Sequence, residues 1–129
     1  MSQSVYSHAS YQTLVEKTFD NVKHLSRTKG GEYAGDNDRL ANFRRNGAAL
    51  GLEMETIWSV YAAKHWDAIQ QYVRDRQSNT PRVTAEPIDG RVDDLITYLI
   101  LFKAMVDERR QVTIASKQKL PDPIRKSLE

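Results

Sequence analysis

Apolar residues recur at helical spacing in four segments of this chain, and nowhere do four or more alternate with polar residues in the period-two manner of a half-buried strand. The pattern predicts an all-α protein, a bundle of four to five helices around one core. The first helix is expected from Ser10, a favoured N-cap type, with Tyr11, Leu14, Val15, Phe19, Val22 and Leu25 on one face and Gly30 and Gly31 as its stop. A short second helix is expected from about Asp38, turning Leu40, Phe43 and Ala48 inward and closing at Gly51. The third should span Met54 to Arg76, broken by Ser78, Asn79 and Pro81. The fourth should begin at Pro87, in the first helical position where a missing amide hydrogen is harmless, and continue through Met105 toward Arg110.

The fourth segment carries two apolar stripes. Projected at about 100° per residue, Val92, Leu95, Ile96, Leu99, Phe102 and Val106 form a broad face expected to pack inside the domain. Tyr98, Leu101 and Met105 lie nearly opposite, with Asp94 one turn before Tyr98. A helix apolar on two sides must be covered on both. In a chain this short the second cover is expected to be another subunit, giving an isologous dimer or a higher homo-oligomer; the alternative is that this segment is simply the central helix of the monomer. On the third segment Met54, Ile57, Trp58, Tyr61, Ala68, Ile69 and Tyr72 define the apolar face, and His65 falls near its middle with Lys64 beside it. His65 is either a core histidine bonded to a carbonyl or carboxylate, or a functional group. Lys64 either snorkels to water or reaches a phosphate in an interhelical cleft.

Composition narrows the class. At 129 residues the chain fits one domain with one core. No apolar run approaches the ~18 residues of a membrane span, and the first twenty residues lack the apolar block of a signal peptide. Cysteine is absent, which excludes disulfides, thiolate nucleophiles and cysteine-ligated zinc. These features point to the cytoplasm. The net charge of +2 is uneven: residues 109–129 carry about +4 and the rest about −2, so a helical domain over 1–108 and a basic C-terminal extension over 109–129 are expected. A near-neutral body argues against a dedicated DNA-binding domain and leaves nucleic-acid contact to the tail.

No phosphate loop, HExxH, calcium loop or GxSxG elbow is present, and His8, His24 and His65 are too far apart for a local metal motif. The chemistry therefore rests on carboxylates and cations. Glu86 and Asp89 are explained by the first turn of a helix, where acidic side chains meet unpaired amides. Asp94 is not, because it lies two turns in and heads an apolar stripe, where an ionised carboxylate needs a cation or a metal. Magnesium suits such a place, taking one or two carboxylates together with substrate phosphates. The glycine-bearing stretch "TKGGEYAGDNDRLANF", residues 28 to 43, supplies candidates for an opposite wall. Lys29 ends the apolar face of the first helix, glycines 30, 31 and 35 would let amides approach an anion, and Arg39 and Asn42 occupy the turn that Asp38 caps. The alternative is a solvated connection in which Asp38 is a structural cap, Arg44 and Arg45 face water, and Tyr33 and Phe43 pack.

"TKGGEYAGDNDRLANF", "AAKHWDAI" and "EPIDGRVDDLITYLILF" together resemble small bacteriophage proteins of the nucleotide-modification-associated domain family, over about residues 12 to 106. That family is distantly similar to the MazG-type nucleoside triphosphate pyrophosphatases, which are all-α, magnesium-dependent oligomers. The resemblance implies functional roles for Lys29, Glu32, Tyr33, Asn42 and Phe43 in the first segment, Lys64 and His65 in the second, and Asp94 with Tyr98 in the third. MazG-type enzymes carry a Glu-Glu-x-x-Glu pattern on one helix, and the third helix here offers "KHWDA" in its place. The expectation is a phage accessory protein of the host-cell cytoplasm that binds a (deoxy)nucleotide. Magnesium would sit between Glu32, Asp36 and Asp94, phosphates on Lys29, Lys64 and Arg39, and the base against Tyr33, Phe43 or Tyr98. In the enzymatic version Glu32 and Asp94 serve attack of a metal-activated water between the α and β phosphates. The alternatives are a protein that sequesters a nucleotide without hydrolysing it, and an interaction bundle whose working part is the basic tail.

Overall fold

The computed structural model describes residues 4–33, 38–80, 82 and 86–119, without the side chains of 29–33. The side chains of Lys29, Glu32 and Tyr33, and the whole of Asp36, therefore lie outside the described residues, as does the tail beyond residue 119. The described chain forms four α-helices, α1 (His8–Tyr33), α2 (Ala41–Leu50), α3 (Met54–Gln77) and α4 (Ile88–Gln118), and no strand is found among the described residues. No helix is long and apolar enough to cross a membrane, again among the described residues.

Helix ends follow local chemistry, with some displacement from expectation. The first helix is capped by Ser7 rather than Ser10: the Ser7 hydroxyl accepts from the Ser10 amide at 3.0 Å, the bond expected between an N-cap and its third helical residue. Gly30 and Gly31 do not stop α1, which continues to Tyr33; glycine in a helix costs about 1 kcal/mol relative to alanine, a penalty and not a prohibition. Asp38 accepts from the Leu40 amide at 3.0 Å and so organises the turn ahead of α2. Gly51 closes α2 in the left-handed conformation, φ 68°, with Leu52 N–H returning to Gly47 O at 2.9 Å. Asn79, φ 55°, plays the same part after α3, with Thr80 N–H on Asp75 O at 2.9 Å. Pro87 is the N-cap of α4 and Ile88 its first residue. At its far end α4 runs on to Gln118, well beyond the expected stop near Arg110.

The core lies among α2, α3 and α4. Leu40, Phe43, Met54, Ile57 and Met105 are buried, with Trp58, Tyr98, Leu101 and Ala104 packed against them. Each large apolar side chain so buried contributes about 1.5–3 kcal/mol. Trp58 Nε1–H donates to Tyr98 O at 2.6 Å, tying the second turn of α3 to the first half of α4. Arg109 reaches across to Glu53 at 2.7 Å and Glu55 at 2.9 Å, so the first residue of the anticipated basic extension is bound to the domain. Of the expected inward set Leu40 and Phe43 are buried, but Ala48 is exposed and Gly47 takes the inward place. A Cβ on Gly47 would stand 2.6 Å from Leu52 O, so this position has no room for a side chain.

The two stripes of α4 divide differently from expectation. Met105 is fully buried, Asp94 and Thr97 are buried, and Tyr98 and Leu101 pack on the core, so the stripe assigned to a second subunit is the one that faces the domain. The broad face assigned to the interior is only partly covered: Leu95, Ile96 and Val106 are half-buried, while Val92, Leu99 and Phe102 are exposed, the Phe102 ring lying 4.8 Å from that of Trp58. The cause lies on α3: its inward line of Met54, Ile57, Ala62 and His65 pairs with the side of α4 that carries a polar residue, Asp94. Helix α1 packs on α4. Its Val22 is buried, but Tyr11 and Leu14, earlier on the same stripe, remain exposed.

Candidate functional site

A cavity of about 280 Å³ opens between the start of α2, the middle of α3 and the first half of α4. Arg39, Asn42, Phe43, Lys64, His65, Asp94 and Tyr98 line it, together with Glu86, Arg91, Thr97 and Leu101. Every anticipated site residue whose side chain is described is therefore at this one place. They come from three segments, and the packing of α3 on α4 brings them together.

The cavity is lined mainly by polar and charged side chains, with Phe43, Tyr98 and Leu101 as its apolar part. His65 and Asp94 are both buried, and His65 Nδ1 stands 3.8 Å from Asp94 Oδ2. That separation is too long for a hydrogen bond, and His65 Nδ1 has no hydrogen-bond partner. Burial holds the His65 pKa below the usual imidazole value; Arg91 and Lys64 press in the same direction, while Asp94 and Glu86 oppose it. The close approach is thus a neutral imidazole beside a carboxylate and not an ion pair. The ring of His65 lies 5.1 Å from that of Tyr98 at an interplanar angle of 37°, which fixes its orientation.

Phe43 is a core residue before it is a wall. It is 2% exposed, with Tyr61 and Tyr98 rings at 6.0 and 6.3 Å. It presents no open face for a base, and its contribution is to hold Tyr98 edge-on. The cations differ in availability. Arg44 is committed to Asp38, at 2.8 Å, and to Glu108, which between them hold the guanidinium charged and both carboxyl pKa values low. Asp38 therefore has a structural part, holding the turn ahead of α2 and pairing with Arg44, although the N-cap of α2 is Leu40, which has no side-chain cap bond, and Arg44 is ion-paired where the solvated-connection reading left it to water. Arg39 lines the cavity, Lys64 lies exposed at its mouth, and Arg91 pairs with Glu86 at 3.4 Å.

Sequence reasoning passed over Glu86, Arg91 and Thr97. The signal for Arg91 was present: Arg91, Asp94, Tyr98 and Leu101 share one helical stripe at spacings of three and four. Glu86 was assigned to the helix dipole alone, and its ion pair with Arg91 needs the fold to be seen. Thr97 donates to Asp93 O at 2.9 Å, an in-helix bond that leaves its hydroxyl oxygen as an acceptor. Beyond the Glu86–Arg91 pair a second, more apolar cavity of about 480 Å³ shares both residues and is lined further by Tyr72, Ile88 and the buried Asp75, which is held by Gln71 at 2.8 Å and Arg82 at 3.2 Å. A shallower depression at the α2–α3 turn is lined by Arg44 and Arg109, whose charges are already matched by acidic neighbours.

Among the described residues no group of three histidine, aspartate or glutamate side chains is arranged to hold a metal ion. Of the anticipated magnesium ligands, Asp94 is at the cavity, and Glu32 and Asp36 are outside the described set. Comparison of the chain with protein-family models, with curated proteins and with solved structures finds no match.

Proposed function

We propose that this chain is a nucleotide-binding protein that uses the α2–α3–α4 cavity, with phosphates toward Arg39 and Lys64 and a ring system against Tyr98. The observation that carries the reading is the convergence of cations, an aromatic ring and a buried neutral-histidine/carboxylate pair at one opening. The lining is more polar than that of most small-molecule sites, which suits a ligand that is itself charged and rich in hydrogen-bonding groups. The cavity is at the small end of such sites, so it accommodates a sugar and its nearest phosphate or base and leaves the remainder to the mouth.

Binding needs only the described residues. Magnesium-dependent hydrolysis to the monophosphate and pyrophosphate, the MazG-type reaction in a phage setting, would need carboxylates in addition to Asp94. Thermal-shift measurement against the common nucleoside and deoxynucleoside triphosphates, with and without magnesium and with chromatography of the products, separates these readings. Stabilisation without turnover supports a sequestering protein, and pyrophosphate release supports the enzyme. No stabilisation by any nucleotide overturns the proposal and favours an interaction bundle.

The protein is further proposed to be a homo-oligomer, with a second copy covering the outer face of α4 and the first half of α1. Val92, Leu99 and Phe102 on α4 and Tyr11 and Leu14 on α1 are the apolar residues such an interface would use.

A further inference from the structure

His65 is 8% exposed, and its Nδ1 is the only buried side-chain nitrogen or oxygen among the described residues that lacks a hydrogen-bond partner. Buried polar groups in folded proteins are nearly always paired, and one left unpaired at a cavity wall marks a place where something else completes the bond. The atom across from it is Asp94 Oδ2, at 3.8 Å. No atom fits on the line between them. An atom set off that line, about 2.8 Å from each, subtends roughly 85° at its own centre, and a few tenths of an ångström of side-chain movement opens this toward tetrahedral.

The chemistry of the pair limits what that atom can be. A neutral imidazole with Nδ1 protonated offers a donor, and the carboxylate offers only acceptors. The shared atom must accept from one and donate to the other. A carbonyl oxygen cannot donate, an ammonium cannot accept, and a phosphate oxygen is repelled by the carboxylate. A hydroxyl does both, and so does a water molecule, which a sugar hydroxyl would displace. Tyr98 packs against the imidazole at a tilt of 37° and holds the plane of the ring, and Arg39 and Lys64 offer phosphates a separate place.

We propose that His65 Nδ1 and Asp94 Oδ2 together bind one sugar hydroxyl of the ligand, which accepts from the imidazole N–H and donates to the carboxylate. The inference rests on the nucleotide-binding reading and adds what that reading lacks, a group that discriminates between sugars. It also gives Asp94 a role that requires no metal.

The test is a calorimetric titration of the full chain with four ligands in the adenine series and four in the cytosine series: the ribonucleoside triphosphate, its 2′-deoxy form, its 3′-deoxy form and its 2′,3′-dideoxy form. The dideoxy ligand should bind at least about tenfold more weakly than the better of the two singly deoxygenated ligands, whose identity tells which hydroxyl is held. In His65→Phe, which keeps an aromatic ring over Tyr98, the difference should shrink to within about twofold. If that variant does not fold, His65→Gln takes its place, and Asp94→Ala should remove the same discrimination from the other side. Binding of all four ligands with equal affinity overturns the hydroxyl assignment and leaves the nucleotide reading standing. A difference that survives both substitutions, or that vanishes on chelation of divalent cations, overturns it as well. If no ligand in either series binds, the nucleotide reading itself fails and the inference with it.

Discussion

The two sides of α4 differ in a way that composition alone does not show. The outer side, Val92, Leu99 and Phe102, is the more uniformly apolar, and it is exposed. The inner side mixes Arg91, Asp94, Thr97 and Tyr98 with Leu101 and Met105, and it forms both the core and the cavity. A pure apolar stripe suits a partner that supplies its own matching surface. A stripe that begins polar and ends apolar suits a helix that must seal a core at one end and hold a ligand at the other. On the inner side, stability and the proposed function are divided by position: Met105 seals the core, and Asp94, a few turns earlier, lines the cavity.

The largest effect that would break this division is at Met105. Met105→Ala should destabilise the protein by about 2–5 kcal/mol in urea unfolding, because the site is fully buried and a cavity remains. Leu99→Ala on the outer side should cost less than about 1 kcal/mol in monomer stability, while Leu99→Glu should lower the association state in sedimentation. A Leu99→Ala loss equal to that of Met105→Ala would show that the sides have been distinguished wrongly. Gly47→Ala should cost about 1–3 kcal/mol, since its Cβ would overlap the Leu52 carbonyl oxygen. That loss should be independent of ligand.

Acid should then separate the cavity from the surface. A histidine whose folded pKa is lowered contributes stability that is complete above its unfolded value near 6.5 and is lost as pH falls toward the folded value. The melting temperature should therefore drop as pH falls below about 6.5, and His65→Gln should flatten that part of the curve. Asp38, Glu55 and Glu108, held low chiefly by hydrogen bonds from Arg44 and Arg109, lose their contribution only below the ordinary carboxylate range. The smallest effect is at Arg44, whose side chain is 40% exposed: Arg44→Ala should cost no more than about 1 kcal/mol, and less in high salt.

Much of the fold was legible because helical periodicity is a local property. The extents of α2 and α3, the left-handed Gly51 and the break at Ser78–Asn79 could be read from residue types alone. Which stripe of α4 faces inward could not, because both are apolar enough, and the choice depends on how α3 presents Ile57, Ala62 and His65 to it. The site was legible to the extent that it consists of residues out of place in their helices, such as His65 on an apolar face and Asp94 at the head of an apolar stripe. Glu86 and Arg91 had ordinary local explanations, and only the juxtaposition of the α4 start with α3 makes them cavity residues. That Phe43 is sealed between Tyr61 and Tyr98 is likewise a matter of packing.

Amide and side-chain NMR of the full chain, titrated with 2′-deoxyadenosine and 2′-deoxycytidine triphosphates, tests the assignment of function to the inner side most directly. Saturable shifts should concentrate at Arg39, Asn42, Lys64, His65, Asp94 and Tyr98, with Leu99 and Phe102 unmoved. Shifts centred on the outer side of α4, or no saturable shifts with either nucleotide, would contradict it.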